Sequence, residues 1–176
     1  MGQVREIQDL YLVDTTLLFD SRGSSHSVPL PPSLAISDSS TSILTSFNHK
    51  RGTIRGMHYQ IAECPQVKLV WCSTGMIIDV VVDLRRDSKT RGQWLSLTLK
   101  PDGGKALFIP DGMAHGYQTL ADNTTVNYLI CGRRSAEHER TLAWNDPTLD
   151  VHWPLPVTEI SERDEKGESW NLTEYS

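Results

Sequence analysis

The stretch Gln66–Leu84, QVKLVWCSTGMIIDVVVDL, decides the fold. Two apolar, β-branched runs flank Ser73-Thr74-Gly75, which reads as two short strands joined by a turn. Runs of the same kind follow downstream: WLSLTL at 94–99, ALFIP at 106–110, GYQTLA at 116–121 and TTVNYLICG at 124–132. Clusters of Gly, Asp, Pro and Ser separate them, and hardly any segment carries the 3.6-residue helical period. The pattern predicts an all-β domain, a β-sandwich or barrel. Only residues 135–143 and the C-terminal tail invite short flanking helices.

Side chains of a strand alternate between two faces. In QVKLVWC, Lys68 shares a face with Gln66, Val70 and Cys72; in MIIDVVVDL, Asp79 and Asp83 share one with Ile77 and Val81; in TTVNYLICG, Tyr128 lies with Val126 and Ile130. A lysine, two carboxylates and a phenol therefore sit within apolar strands. These faces are either solvated, or buried with the polar groups meeting one another or a ligand, since burial without partners costs several kcal/mol.

The 176 residues suit one domain, and 38% apolar content with five Trp suffices for a core. Residues 21–42, SRGSSHSVPLPPSLAISDSSTS, are too rich in Ser and Pro for a long helix or central strand, so residues 1–45 read as an N-terminal arm. Such an arm is hard to bury on its own small barrel, and pairing with a second chain would cover the sheet edge it leaves. A net charge of -5 gives no electrostatic footprint for nucleic acid or an anionic membrane. No stretch approaches the roughly 18 apolar residues of a membrane span, and no apolar leader opens the chain, so a cytoplasmic protein is expected. Cys64, Cys72 and Cys131 lack metal-type spacing and read as reduced core thiols.

Two motifs carry chemistry. In RGTIRGMHYQ, Arg51–Gln60, an ideal strand would turn Arg55 and His58 to opposite faces; a bend or bulge at Gly56 would bring both to one site. Arg55 could then grip a phosphate while His58 acts as base. In IPDGMAHGYQTL, Pro110, Gly112 and His115 form a P-x-G-x-x-H pattern of cupin-type jelly rolls. The usual metal partner, H-x-H followed by Glu, is replaced by His58-Tyr59-Gln60 and a closer Glu63, short of the three well-placed ligands a divalent ion needs. No metal and no cofactor are expected.

Six segments in order, RGTIRGMHYQ, QVKLV, DVVVDLRRDSKTRGQW, LFIPDGMAHGYQTL, AEHERTLAWNDPTLDVHWP and ISERD, make the chain resemble the dTDP-4-dehydrorhamnose 3,5-epimerase family over residues 50–164. The resemblance implies a metal-free cupin-like jelly roll, a homodimer whose N-terminal strands cross between subunits, and epimerisation of a nucleotide-linked 4-keto-6-deoxyhexose. It assigns His58 as general base, Asp164 as its paired carboxylate, Tyr128 as general acid and Lys68 and His115 as groups close to the sugar. Arg55 matches a diphosphate-binding arginine, Arg22 roughly matches the arginine of an F-x-D-x-R-G motif, and Gln60 is taken as a further substrate contact. Asp79 is expected to pair with Lys68.

Three departures touch nucleotide recognition. Ser24-Ser25 replaces an aromatic after Arg22-Gly23, SILTSFN replaces a segment carrying Gln and Asn, and Arg133 and Arg134 stand where an aromatic pair stacks near the base. Arginine can stack on a base or reach a phosphate. The alternatives to an epimerase are a metal-dependent cupin enzyme and a non-catalytic sugar-nucleotide binder.

Overall fold

In the computed structural model, which describes residues 3, 5–32, 34 and 40–170, the two apolar runs within Gln66–Leu84 become strands of two facing sheets. The strands are β1 (Tyr11–Asp14), β2 (Thr16–Asp20), β3 (Gly23–Ser27), β4 (Ser42–Asn48), β5 (Ile54–Gln60), β6 (Val67–Thr74), β7 (Ile77–Asp83), β8 (Trp94–Leu99), β9 (Lys105–Ile109), β10 (Met113–Thr119), β11 (Thr124–Cys131) and β12 (Glu139–Thr141). One sheet runs β1-β9-β6-β11-β4, the other β12-β5-β10-β7-β8, and β2 and β3 form a separate hairpin. The ladders between these strands are all antiparallel, which gives the all-β jelly-roll sandwich.

Val70, Cys72, Ile77, Val81, Leu107, Ile109, Tyr117, Val126 and Tyr128 meet between the sheets as the central core. The faces read from alternation are therefore the inward ones. Leu69, Phe108 and Leu129 point outward from the first sheet and are covered by Leu34 with Val13 and Val28. Val80 and Val82 point outward from the second and pack under Trp94, Leu142, Leu149 and Trp170. This double covering explains why Val80-Val81-Val82 is unbroken: all three are fully buried. Each such side chain contributes about 1.5–3 kcal/mol.

One expectation changes. Residues 135–143 are no helix: Ser135–His138 turn, with Ser135 Oγ 2.7 Å from His138 Nδ1, and Glu139–Thr141 then add to the free edge of β5, which offers a full ladder of backbone partners. The tail does give one turn of helix, α1 (Glu162–Glu165), started by Ser161, whose Oγ accepts the Asp164 N–H. Within residues 1–45, Ile7 enters the central core, β1 pairs with β9, and β2 and β3 pair with each other. The three cysteines are free thiols.

Candidate active site

A cavity of about 380 Å³ opens at one end of the sandwich. Its lining includes Arg55, His58, Lys68, His115, Tyr128 and Arg134, drawn from four strands and a loop. Ser42, Ile43, Leu44 and Ser46 of β4 form another wall.

Arg55 and His58 reach one cavity because β5 carries an extra residue. His115 pairs with His58 and Tyr117 with Arg55, so three steps along β5 match two along β10. That bulge restores a common face. Gly56 makes it possible: its φ is +126°, and a Cβ there would lie 2.5 Å from Gly116 Cα.

α1 brings the carboxylate. His58 Nε2 lies 2.7 Å from Asp164 Oδ1, and the Gly56 N–H donates to Oδ2 at 3.0 Å. Burial pushes the Asp164 carboxyl up, but the bond to His58, its charge, and the Gly56 and Ser161 contacts together hold it below the ordinary carboxylate range. An ionised Asp164 fixes the proton on Nε2 and leaves Nδ1 as the basic nitrogen.

Lys68 donates to the His58 carbonyl at 3.4 Å. Burial lowers its pKa to about 8, against the opposing charges of Glu139 and Asp79. The expected Asp79–Lys68 pair is thus electrostatic only; the direct partner of Asp79 is His115, with Nε2 2.9 Å from the carboxylate. The reason is register: His115 and Asp79 sit on adjacent strands β10 and β7, whereas Lys68 approaches from the other sheet. One Asp79 oxygen has no hydrogen-bond partner among the described residues. Burial raises the Asp79 pKa, offset in part by His115 and Lys68. Tyr128 meets His115 edge-on, ring centroids 5.9 Å apart. Burial, then the nearby Tyr117 and Asp79, pushes its phenol well above the ordinary range, so it stays protonated.

Two residues at the mouth were missed by the sequence reading. Glu139 accepts from Arg134 Nε at 2.7 Å and from Arg163 Nη1 at 2.9 Å, and all three line the cavity. The available signal was position: Arg163 precedes Asp164 in ISERD, and Glu139 lies within AEHERTLAW. Arg55 is aimed by Asn48, whose Oδ1 accepts its Nε–H at 2.8 Å.

Three expected contacts do not converge. Gln60 has its amide spent within the protein: Nε2 donates to the Cys64 and Arg133 carbonyls at 2.6 and 3.0 Å, and Oε1 accepts the Ser135 N–H at 2.9 Å. Arg133 supplies that carbonyl while its exposed side chain lies outside the cavity lining. Arg22, at the hairpin turn, pairs with Asp20 at 2.5 Å, away from this chain's cavity. Both cavity histidines are committed to carboxylates, and no group of three or more His, Cys, Asp or Glu among the described residues could hold a metal ion.

The model of a family described as dTDP-4-dehydrorhamnose 3,5-epimerase matches residues 5–171. A dTDP-4-dehydrorhamnose 3,5-epimerase of Sinorhizobium fredii is 42% identical over 120 residues, covering 68% of this chain and 62% of that relative, so the match spans about three fifths of its length. The crystal structure of a dTDP-6-deoxy-D-glucose-3,5-epimerase from Legionella pneumophila, in complex with dTDP-4-keto-L-rhamnose, superposes with a TM-score of 0.84 at 29% identity, covering 97% of this chain and 92% of that one. A 3'-monoepimerase from Streptomyces bikiniensis, in complex with dTDP-quinovose, gives 0.82 at 26% identity, covering 96% and 87%. With the family model matched over nearly its whole length, this chain belongs to the dTDP-4-dehydrorhamnose 3,5-epimerase family.

Proposed function

We propose that the protein epimerises a nucleotide-diphospho-4-keto-6-deoxyhexose of the dTDP-4-dehydro-6-deoxyglucose type at C3, C5 or both, in deoxysugar biosynthesis. The observation that carries this reading is the His58–Asp164 dyad on one side of a cavity that also holds a protonated phenol, Tyr128. A binding protein has no need of a base and an acid in one pocket.

The C4 ketone acidifies the adjacent C–H bonds. His58 Nδ1 takes a proton from carbon while Asp164 holds the ring and favours the imidazolium that forms. The electron pair moves toward the ketone oxygen, where the Lys68 ammonium stabilises the enolate. Tyr128 then gives its proton to the opposite face of the carbon, and the configuration inverts. A positioned acid or base is worth about 10²–10⁴ in rate. Arg55 binds the diphosphate, and His115, held by Asp79, donates to the sugar. The bound sugar of the Legionella structure supports the substrate class, and the Streptomyces monoepimerase is why inversion at one carbon is included.

The active form in this reading is a cytoplasmic homodimer needing no cofactor. No helix among the described residues is long and apolar enough to cross a membrane. The exposed β2–β3 hairpin supplies the surface through which two subunits pair. Proton NMR in D₂O with dTDP-4-keto-6-deoxyglucose tests the activity. Deuterium entering at C3 or C5, abolished by His58→Ala, is the expected result; binding with exchange at neither carbon would sink the catalytic reading.

A further inference from the structure

Gln60 ends the strand that carries His58, and it is buried without lining the cavity. Its amide grips a loop instead. Nε2 donates to the Arg133 carbonyl at 3.0 Å and to the Cys64 carbonyl at 2.6 Å, while Oε1 accepts the Ser135 N–H at 2.9 Å. Arg133 and Ser135 are the chain neighbours of Arg134, so one amide holds the backbone on both sides of the arginine at the cavity mouth. Cys64 Sγ donates to the same Arg133 carbonyl at 3.1 Å. The two loops lie so close that a side chain at Gly132, whose φ is +112°, would collide with the Pro65 carbonyl. From Ser135 the chain turns, its carbonyl accepting the His138 and Glu139 N–H groups at 3.0 Å each. That turn delivers Glu139, which accepts from Arg134 Nε at 2.7 Å. Backbone and side chain of Arg134 are thus both held by one small network that starts at Gln60.

We infer that Gln60 is a positioning residue for nucleotide binding: by fixing the backbone around Arg134 it presents that guanidinium at the cavity mouth before the nucleotide arrives. The inference rests on the epimerase reading, in which a nucleotide diphosphate enters by this mouth. The Glu139 ion pair cannot hold Arg134 alone, because the arginine side chain is 73% exposed and an exposed pair fixes a long side chain only weakly. The amide holds more firmly. Gln60 itself is buried, so a loop that swung away would leave its donors and acceptor without partners and away from water. Two carbonyls face its nitrogen and an N–H faces its oxygen, which admits one orientation of the amide and one position of the loop. A planar guanidinium ordered in advance can stack on a base or bond to a phosphate with less conformational freedom lost at the moment of binding. Gln60 acts through Arg134, not on the reacting carbon.

Gln60→Met keeps the length of the side chain and removes the amide. Calorimetric titration with dTDP reads binding, steady-state kinetics with dTDP-4-keto-6-deoxyglucose separates KM from kcat, and urea unfolding verifies that the variant is folded. The expected result is a Kd for dTDP and a KM raised together by about 2–10-fold, the scale of ordering one long side chain on binding, with kcat unchanged. In the Arg134→Ala background the same substitution should add nothing further, since the side chain it positions is gone. If Gln60→Met does not fold, Gln60→Glu carries the same expectation, because it keeps the acceptor for the Ser135 N–H and loses the two donors. A fall in kcat at constant KM would tie Gln60 to His58 and overturn the inference. So would an unchanged Kd, an equal further loss in the Arg134→Ala background, or an Arg134→Ala protein that binds dTDP as the native one does. Native protein that binds dTDP but exchanges neither C3 nor C5 sinks the epimerase reading, while the dTDP titrations still decide the role of Gln60; native protein that binds no dTDP overturns that role as well.

Discussion

His58 Nε2 and Asp164 Oδ1 lie 2.7 Å apart although 106 positions separate them in the chain. The pairing depends on one turn of helix whose N-cap, Ser161, orients Asp164, and on a glycine, Gly56, whose N–H holds the second carboxylate oxygen.

Asp164→Asn should therefore lower kcat by about 10²–10⁴ with little change in KM, because an amide neither fixes the Nε2–H tautomer nor favours the imidazolium. Steady-state kinetics on the 4-keto sugar nucleotide checks this. A rise in KM at constant kcat would mean that Asp164 serves binding instead.

Lys68 predicts opposite pH responses of activity and stability. With a folded pKa of about 8 against 10.5 for the ordinary lysine, the cation that stabilises the enolate is lost as pH rises through about 8, and kcat falls. Between those values the unfolded chain binds the extra proton, so this group makes stability rise with pH over the same window. Lys68→Met should abolish the alkaline limb of the rate profile. A limb that persisted in a still active variant would assign it to another group.

Asp83 is the corresponding stability prediction. Fully buried, it accepts from Arg85 Nε at 3.0 Å, from Ser88 at 2.5 Å and from Thr90 at 2.7 Å. Burial raises its pKa, but these partners together hold it below the ordinary value of 3.8. The stabilisation is present above that value and lost as pH falls through the depressed folded pKa. Asp83→Asn should cost about 1–3 kcal/mol at neutral pH, since an amide cannot accept from Arg85, Ser88 and Thr90 as the carboxylate does, while Arg85 keeps Asp9 at 2.8 Å. Urea unfolding should show that gap closing on acidification; a gap independent of pH would mean that shape, not charge, is what Asn fails to supply.

Strand positions and inward faces were legible because alternation is a local property: Lys68, Asp79 and Tyr128 all point between the sheets. Gly56 was legible as a bend for the same reason, since an ideal strand cannot turn Arg55 and His58 to one face. The Asp164 partnership came only through resemblance to a known family, because nothing in SERDEKGE separates one acid from its neighbours. Pairing across sheets was not legible. Asp79 could be placed near Lys68 by face, but its choice of His115 depends on the β7–β10 register, which the sequence does not display. The same limit hid the use of Gln60: its period-two position suits the cavity, while the backbone groups that consume its amide come from residues 64 and 133–135.

Arg134 is the departure most open to test. It is held at the cavity mouth by Glu139, which also holds Arg163. Its own side chain is largely exposed, so the ion pair adds at most about 1 kcal/mol to stability. Arg134→Ala should leave the unfolding midpoint nearly unchanged and raise KM for the nucleotide sugar several-fold with kcat intact. An unchanged KM would show that the nucleotide passes the mouth without meeting this side chain.

Among the described residues the strands of the β2–β3 hairpin pair only with each other, and Leu18 and Phe19 on it are 61% and 74% exposed. A lone two-stranded hairpin is marginal in water, so two large apolar side chains on it need a cover. If the protein dimerises as proposed, the second subunit would provide that cover, and an Arg22 role in the partner's site would have to pass through this hairpin turn. Sedimentation at micromolar concentration should give a dimer for the native protein and a shift toward monomer for Phe19→Asp, whose carboxylate would have to be desolvated in the interface. Activity should fall in step with dimer content if Arg22, at the turn of the same hairpin, serves the partner's site. Native protein that sediments only as monomer, or a Phe19→Asp monomer with full activity, would remove the hairpin from the working enzyme.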